Sequence, residues 1–308
     1  MDGIAGYRGW RWIFVGNPHK SPQSLLSLVS VLTSYQIIEG LIPIALAFLG
    51  LWLIIDFPDK IHEAKRPFLT PAEVQIVKDR LNADRGDAEY DHITPRKVLK
   101  TLMMWQVWIY ALLFMCCGVC VYAFSYFTTV ILRGMGYSTE RTFLLSAPPS
   151  IAAIPYSWLI AWYSDKTHTR APAIILSGLI CLCGLMMTAY CTSNDARYAG
   201  IFLGLAGCNS NLTTVIAWQA NNIRGQSTRA VASALQIAFG AIGGIYASTT
   251  FKQNEAPEYP TGLWAAAATQ IFLIVASSGM WAYYFFSNRR ADRLHAPVEG
   301  LTSFRYTW

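Results

Sequence analysis

Six stretches of this chain, 108–130, 142–163, 171–190, 199–218, 230–251 and 263–286, carry no charged side chain. Each reaches the roughly 20 residues that a helix needs to cross about 30 Å of hydrocarbon at about 1.5 Å per residue. A seventh run, 37–55, contains only Glu39, near one end. Buried helices of soluble domains seldom run so long without a charge, and six in succession exclude that class. Apolar runs of this length satisfy their backbone in lipid as helices. The expected fold is therefore an all-α membrane protein of about seven transmembrane helices.

Charge placement agrees. Only 14% of the 308 residues are charged, against about 25% in soluble domains, and the charges are bunched between the apolar runs. The net charge of +6 raises the question of nucleic acid, but the basic residues form no longer run than Arg289-Arg290 and sit on no polar domain. Their distribution is topological instead. Placing 56–104 inside the cell puts 17 of the 24 Lys and Arg on the inner side, which makes the C-terminus cytoplasmic. The exceptions are Arg8, Arg11 and Lys20, in the outer segment 1–36. No signal peptide is expected, because Arg8 and Arg11 interrupt the start.

Seven cysteines are present, and Cys117-x-x-Cys120 matches half of a zinc or redox pattern. Without a second such pair or a nearby His, the cysteines read as small packing residues, and no metal or cofactor is expected. No His-Glu-x-x-His, Gly-x-Ser-x-Gly or Asp pair lies at membrane depth, so the chain does not read as an enzyme. The polar loop 56–104 opens a short amphipathic helix at Thr70-Pro71-Ala72-Glu73, a capping box with Pro at the first helical position. Thr94-Pro95 starts a second helix, expected to run into the next span.

One central loop followed by six spans suits the second half of a transporter built from two similar halves. The residues then become specific. Gly9-Trp10-Arg11-Trp12-Ile13-Phe14, Ile37-Ile38-Glu39-Gly40, Asp56-Phe57-Pro58, Asp84-Arg85-Gly86-Asp87-Ala88-Glu89, Asn221-Asn222, Thr228-Arg229-Ala230, Asn288-Arg289-Arg290 and Phe304-Arg305-Tyr306 resemble fungal anion:cation symporters. These are the allantoate-permease type of the major facilitator superfamily. Residues 158–170 resemble a weakened second copy of that family's cytoplasmic loop signature. The resemblance implies that 37–55 is helix 6, 56–104 the cytoplasmic central loop, 105–287 the bundle of helices 7–12 and 288–308 a cytoplasmic tail. Family members run the Trp-Ile-Phe block directly into Ile-Ile-Glu-Gly, whereas residues 15–36 intervene here. Codons for that segment can begin with GT and end with AG, as a retained intron would; an enlarged outer loop is the alternative.

The same resemblance implies function and site. The full-length parent would move a small organic anion or vitamin-like carboxylate, coupled to protons, in the plasma membrane, as a monomer in the lipid bilayer without nucleic acid. The alternative is a truncated, non-transporting fragment or pseudogene product. Helices 7, 8, 10 and 11 would line a central cavity. Tyr122 and Tyr126 share a face at i, i+4 and offer hydroxyls to a substrate, or else pack. Asn209 and Asn211 lie two apart on one helix, so only one can face the cavity while the other joins helices. Gln236 is the best polar candidate on its span, and Gly240 with Gly244 forms a GxxxG suited to close packing. Asp165, Lys166 and Arg170 resemble a latch towards helix 5, or an ordinary cytoplasmic charge cluster. No carboxylate lies inside the six uncharged runs, so a proton-carrying group would belong elsewhere.

Overall fold

The computed structural model describes residues 40–53, 69–84, 92–252, 255, 259–295, 297–298 and 304–308. The expectations for 1–39, 54–68 and 85–91 lie outside those residues. The chain divides into two compact units, 1–74 and 75–308.

In the first unit, α1 (Gly40–Leu53) is the described part of the seventh apolar run. Alone it is shorter than a span. Helix α2 (Pro71–Asp84) begins in this unit and opens with the expected capping box. The Thr70 amide and hydroxyl each donate to Glu73 Oε2 at 2.8 Å, and the Glu73 amide returns a bond to Thr70 Oγ1 at 3.4 Å. These bonds hold the exposed Glu73 carboxyl below its ordinary range, the backbone donor contributing most.

The second unit holds α3 (Pro95–Leu102), α4 (Trp105–Gly134), α5 (Thr139–Thr167), α6 (Ala171–Tyr190), α7 (Asn194–Asn222), α8 (Gln226–Thr250) and α9 (Pro260–Leu294). Helices α4 to α9 match the six uncharged runs in order, and each is long and apolar enough to cross a membrane. The structure corrects one expectation: α3 does not continue into α4. Met104 adopts an extended backbone, with ψ at 117°, and Trp108 Nε1 reaches back to the Leu102 carbonyl at 2.7 Å. That bond satisfies a carbonyl left free by the broken ladder.

Helices α4 and α7 lie at the centre. Helix α4 packs on α8, α7 and α9, and α7 packs on α6 and α5. Two cores run along this axis. One joins Tyr110, Leu113, Trp218, Leu273 and Tyr284 near the start of α4, and the other joins Phe124, Leu132, Leu185, Ile201 and Leu205 near its far end. We call the first the tail end, because residues 304–308 pack there.

Close approach depends on missing side chains. A Cβ on Gly118 of α4 would lie 2.9 Å from the Gly240 carbonyl of α8, and one on Gly243 2.6 Å from the Met115 carbonyl. Between α6 and α7, a Cβ on Gly207 would lie 2.5 Å from the Ser177 carbonyl. Any larger residue at these positions must push two backbones apart.

Candidate functional site

The residues singled out above do not gather in one place. Tyr122 and Tyr126 project from one face of α4 with ring centroids 5.8 Å apart, and both are partly exposed. The Tyr122 ring rests on Gly244, where a Cβ would come within 2.9 Å of it. So the GxxxG of α8 seats two rings of α4: Gly240 that of Phe114, where a Cβ would come within 2.6 Å, and Gly244 that of Tyr122.

The two asparagines of α7 part company. Asn211 is buried and turned into the α6–α7 seam. With its amide oriented to satisfy both atoms, its nitrogen donates to the Ile174 carbonyl and its oxygen accepts from the Gly178 amide, both at 3.1 Å. One side chain thereby joins the backbone of the neighbouring helix at two points. Beside it, Tyr156 of α5, Ser177 of α6 and Ser210 of α7 form a hydroxyl chain with steps of 3.2 and 3.3 Å. Asn209 is half-buried, and its Nδ2 donates to the Leu205 carbonyl of its own helix at 2.9 Å. Its Oδ1 is thus the atom of this pair left with capacity for an outside donor.

Gln236 is fully buried on α8, and neither atom of its amide has a hydrogen-bond partner among the described residues. One turn away, Ser233 Oγ accepts from Gln219 Nε2 of α7 at 3.5 Å, while Gln219 Oε1 is also unpartnered there. A buried amide without partners costs about 1–3 kcal/mol. Gln219 Oε1 and both atoms of the Gln236 amide are in that position among the described residues. Gln219 escaped the sequence reading because it sits outside the uncharged run ending at 218, and only the helix-to-helix proximity reveals it.

Asp165, Lys166 and Arg170 lie at the end of α5 and the start of α6. Arg170 is paired with Asp165, and Lys166 sits over the Trp162 ring, 4.9 Å from its centroid. The pair is local, closing the turn through His168, whose φ is 54°. Arg170 has a second use: its backbone amide donates to the Trp308 main-chain oxygen at 2.9 Å.

That bond belongs to a network the sequence did not disclose. Residues 304–308, which belong to no helix, lie across the tail end. Asn222 Oδ1 accepts from the Thr307 amide at 2.8 Å and from its hydroxyl at 3.0 Å. Asn222 Nδ2 donates to the Thr307 carbonyl and to the Tyr110 hydroxyl, both at 2.9 Å. Asn288 of α9 repeats the pattern on Tyr306, accepting from its amide at 3.0 Å and donating to its carbonyl at 2.8 Å. Trp218 Nε1 adds a bond to the Thr307 carbonyl at 2.9 Å, and Tyr110 and Tyr284 share their hydroxyls at 3.1 Å.

The seven cysteines are free thiols, most of them buried. Among the described residues no group of three His, Cys, Asp or Glu could hold a metal ion.

A family model described as Major Facilitator Superfamily matches residues 25–248. The MFS transporter prlL of a fungal species (strain NRRL 50135) is 25% identical over 99% of this chain and 57% of its own length. The major facilitator-type transporter hxnP of Emericella nidulans is 25% identical over 93% of this chain and 53% of its own. The MFS-type transporter cnsO of Penicillium expansum is 27% identical over 96% and 54%. The chain spans about half the length of the curated relatives it matches.

Proposed function

The chain belongs to the Major Facilitator Superfamily, and on that premise we propose that it supplies the second half of a secondary active transporter for a small organic anion or vitamin-like carboxylate. The match over 25–248, on a chain with six membrane-length helices among its described residues, is the observation that carries this reading. The anion class rests on the resemblance to allantoate-permease-type symporters. In this reading α4, α5, α7 and α8 line the cavity. Tyr122 and Tyr126 offer hydroxyls, and Asn209 Oδ1 and the Gln236 amide offer the remaining polar contacts. Asn211, engaged with α6 at both atoms, is a joining residue. The carrier is a monomer in the plasma membrane with its tail end cytoplasmic, and Asp165, Lys166 and Arg170 face the first half across the central loop. Proton coupling needs a group at membrane depth whose protonation answers to substrate. That group lies outside the six uncharged runs, which hold no carboxylate.

A second reading, favoured by the chain spanning about half of its relatives, is that these 308 residues transport nothing by themselves. One experiment separates the two. Radiolabelled allantoate, nicotinate, pantothenate and a small dicarboxylate are offered to cells expressing either this chain or the product of the complete mapped transcript. Uptake that collapses with the pH gradient, seen with the complete product only, supports both readings together. Uptake by neither overturns the transport reading.

A further inference from the structure

The main chain of residues 306–308 is bound almost atom by atom. Asn288 takes the Tyr306 amide and carbonyl, Asn222 and Trp218 take those of Thr307, and the Arg170 amide takes the Trp308 oxygen. Each asparagine presents one donor and one acceptor to one residue's N–H and C=O, which is how a neighbouring β-strand reads a backbone. Side chains fix the register. Tyr306 stacks on Tyr284 with centroids 4.5 Å apart, Trp308 meets the Phe285 edge at 5.7 Å, and Phe304 lies beneath the Arg224 guanidinium at 5.4 Å. Arg305 pairs with Asp292 at 2.7 Å.

We infer that the tail end of the bundle is a peptide-reading groove whose ligand is the chain's own segment Phe304–Trp308, and that the seated segment acts as a clasp. Its bonds reach α6 through Arg170, α7 through Trp218 and Asn222, and α9 through Asn288, while α4 joins through Tyr110. At this level Tyr110 already ties α4 directly to α7 and α9 through Asn222 and Tyr284, and the segment adds bonds of its own to α6, α7 and α9. Trp218, Asn222, Asn288 and Tyr110 are buried, as are Phe304 and Tyr306, so these ties are sheltered from water. They lie at the end of the bundle, outside the glycine-packed middle, and loosening them leaves that middle in place. The glycine seam between α4 and α8 is the opposite case, since nothing there can open without parting two backbones. The clasp therefore governs the ends of α4, α6, α7 and α9 and leaves the middle alone. On the transporter reading, where each half rocks as a rigid body, Asn222 and Asn288 are positioning residues that keep this half rigid at its inner end.

The test uses the full chain in detergent and does not depend on transport. Amide hydrogen exchange is followed in the intact chain, in a version ending at residue 303, and in Asn222→Ala, Asn288→Ala and Thr307→Val. The Tyr306 and Thr307 amides are expected to be protected in the intact chain. Asn222→Ala should speed Thr307 exchange about tenfold, and Asn288→Ala that of Tyr306. Truncation should speed exchange at the tail-end turns of α4, α7 and α9 by a similar factor and leave residues around Gly118 and Gly240 unchanged. A synthetic peptide of sequence Phe-Arg-Tyr-Thr-Trp, added to the truncated protein, should restore protection where a scrambled one does not. Thr307→Val removes only a hydroxyl, so it keeps the readout usable should truncation prevent folding; it is expected to raise Thr307 exchange a few-fold. Unprotected Tyr306 and Thr307 amides in the intact chain would overturn the proposal. So would a truncation that changes nothing, one that loosens the glycine seam equally, or a peptide without effect.

Discussion

In the middle of the bundle, α4 meets α8 with Gly118 set against the Gly240 carbonyl, and α6 meets α7 with Gly207 set against Ser177. At the tail end, Asn222 and Asn288 hold a strand between helices through side-chain amides. Both regions answer the same difficulty. In lipid the tails are as apolar as leucine, so helices gain nothing by hiding apolar surface from one another. The middle gains dispersion contact by bringing backbones together, which requires atoms to be absent. The tail end gains hydrogen bonds, which requires particular atoms to be present. A seam of the first kind tolerates no addition, and a network of the second kind tolerates no deletion. Asn211 stands between them, a single amide inserted into a glycine seam.

Substitutions that add to the seam should do the most harm. Gly207→Leu places a branched side chain where a Cβ already meets the Ser177 carbonyl at 2.5 Å and the Cys181 amide nitrogen at 2.7 Å. We expect a loss of at least about 3 kcal/mol, read as a collapsed size-exclusion peak or a large fall in thermal midpoint in detergent. A well-folded Gly207→Leu protein would show that the seam is not close-packed. Asn222→Ala removes one buried amide and several bonds at once, so about 2 kcal/mol is expected from thermal unfolding. Asn211→Ala, far from bulk water, removes two bonds to backbone groups that keep their own helical partners; about 1 kcal/mol is expected, in line with other polar contacts between membrane helices. Should Asn211→Ala cost more than Asn222→Ala, the order expected of these two amides would be reversed.

The smallest effect lies outside both regions, in the loop before α9. The Thr261 hydroxyl and amide donate to the Glu255 carboxylate at 2.7 and 3.0 Å and, with the hydroxyl bond leading, hold its titration below the ordinary carboxylate range. A lowered value in the folded chain means that this contribution is complete above the ordinary carboxylate range and fades as pH falls through the folded value. Glu255→Gln should therefore melt slightly below the unsubstituted protein at neutral pH, and the gap should close in acid. A gap that widens in acid would show the sign to be wrong.

Legibility in the sequence followed the same division. The six long helices were evident because absence of charge over about 20 residues is a local property of the chain. The capping box at Thr70 was equally local, since both partners lie within one turn. Gly240 and Gly244 were recognised from their spacing, and Gly200 with Gly204 carries the same signal on α7 and would have marked the second seam. The two asparagines of α7 could be placed on different faces by helical periodicity, yet nothing local says which face meets α6. The end of α3 also escaped, because the bond that closes it comes from Trp108 in the next helix.

The sequence by itself determined that this is a helical membrane protein, where its long helices run and that small residues would let some of them approach. Those are consequences of hydrocarbon thickness and side-chain size, which act on each stretch of chain separately. Only the tertiary structure decided that Asn211 joins two helices, that Gln219 and Gln236 lie close to one serine, and that residues 304–308 lie clasped against Asn222 and Asn288. Those outcomes depend on partners 14 to 85 residues apart. A hydrogen bond forms or fails within a few tenths of an ångström, and that precision belongs to the packed bundle, not to any one segment.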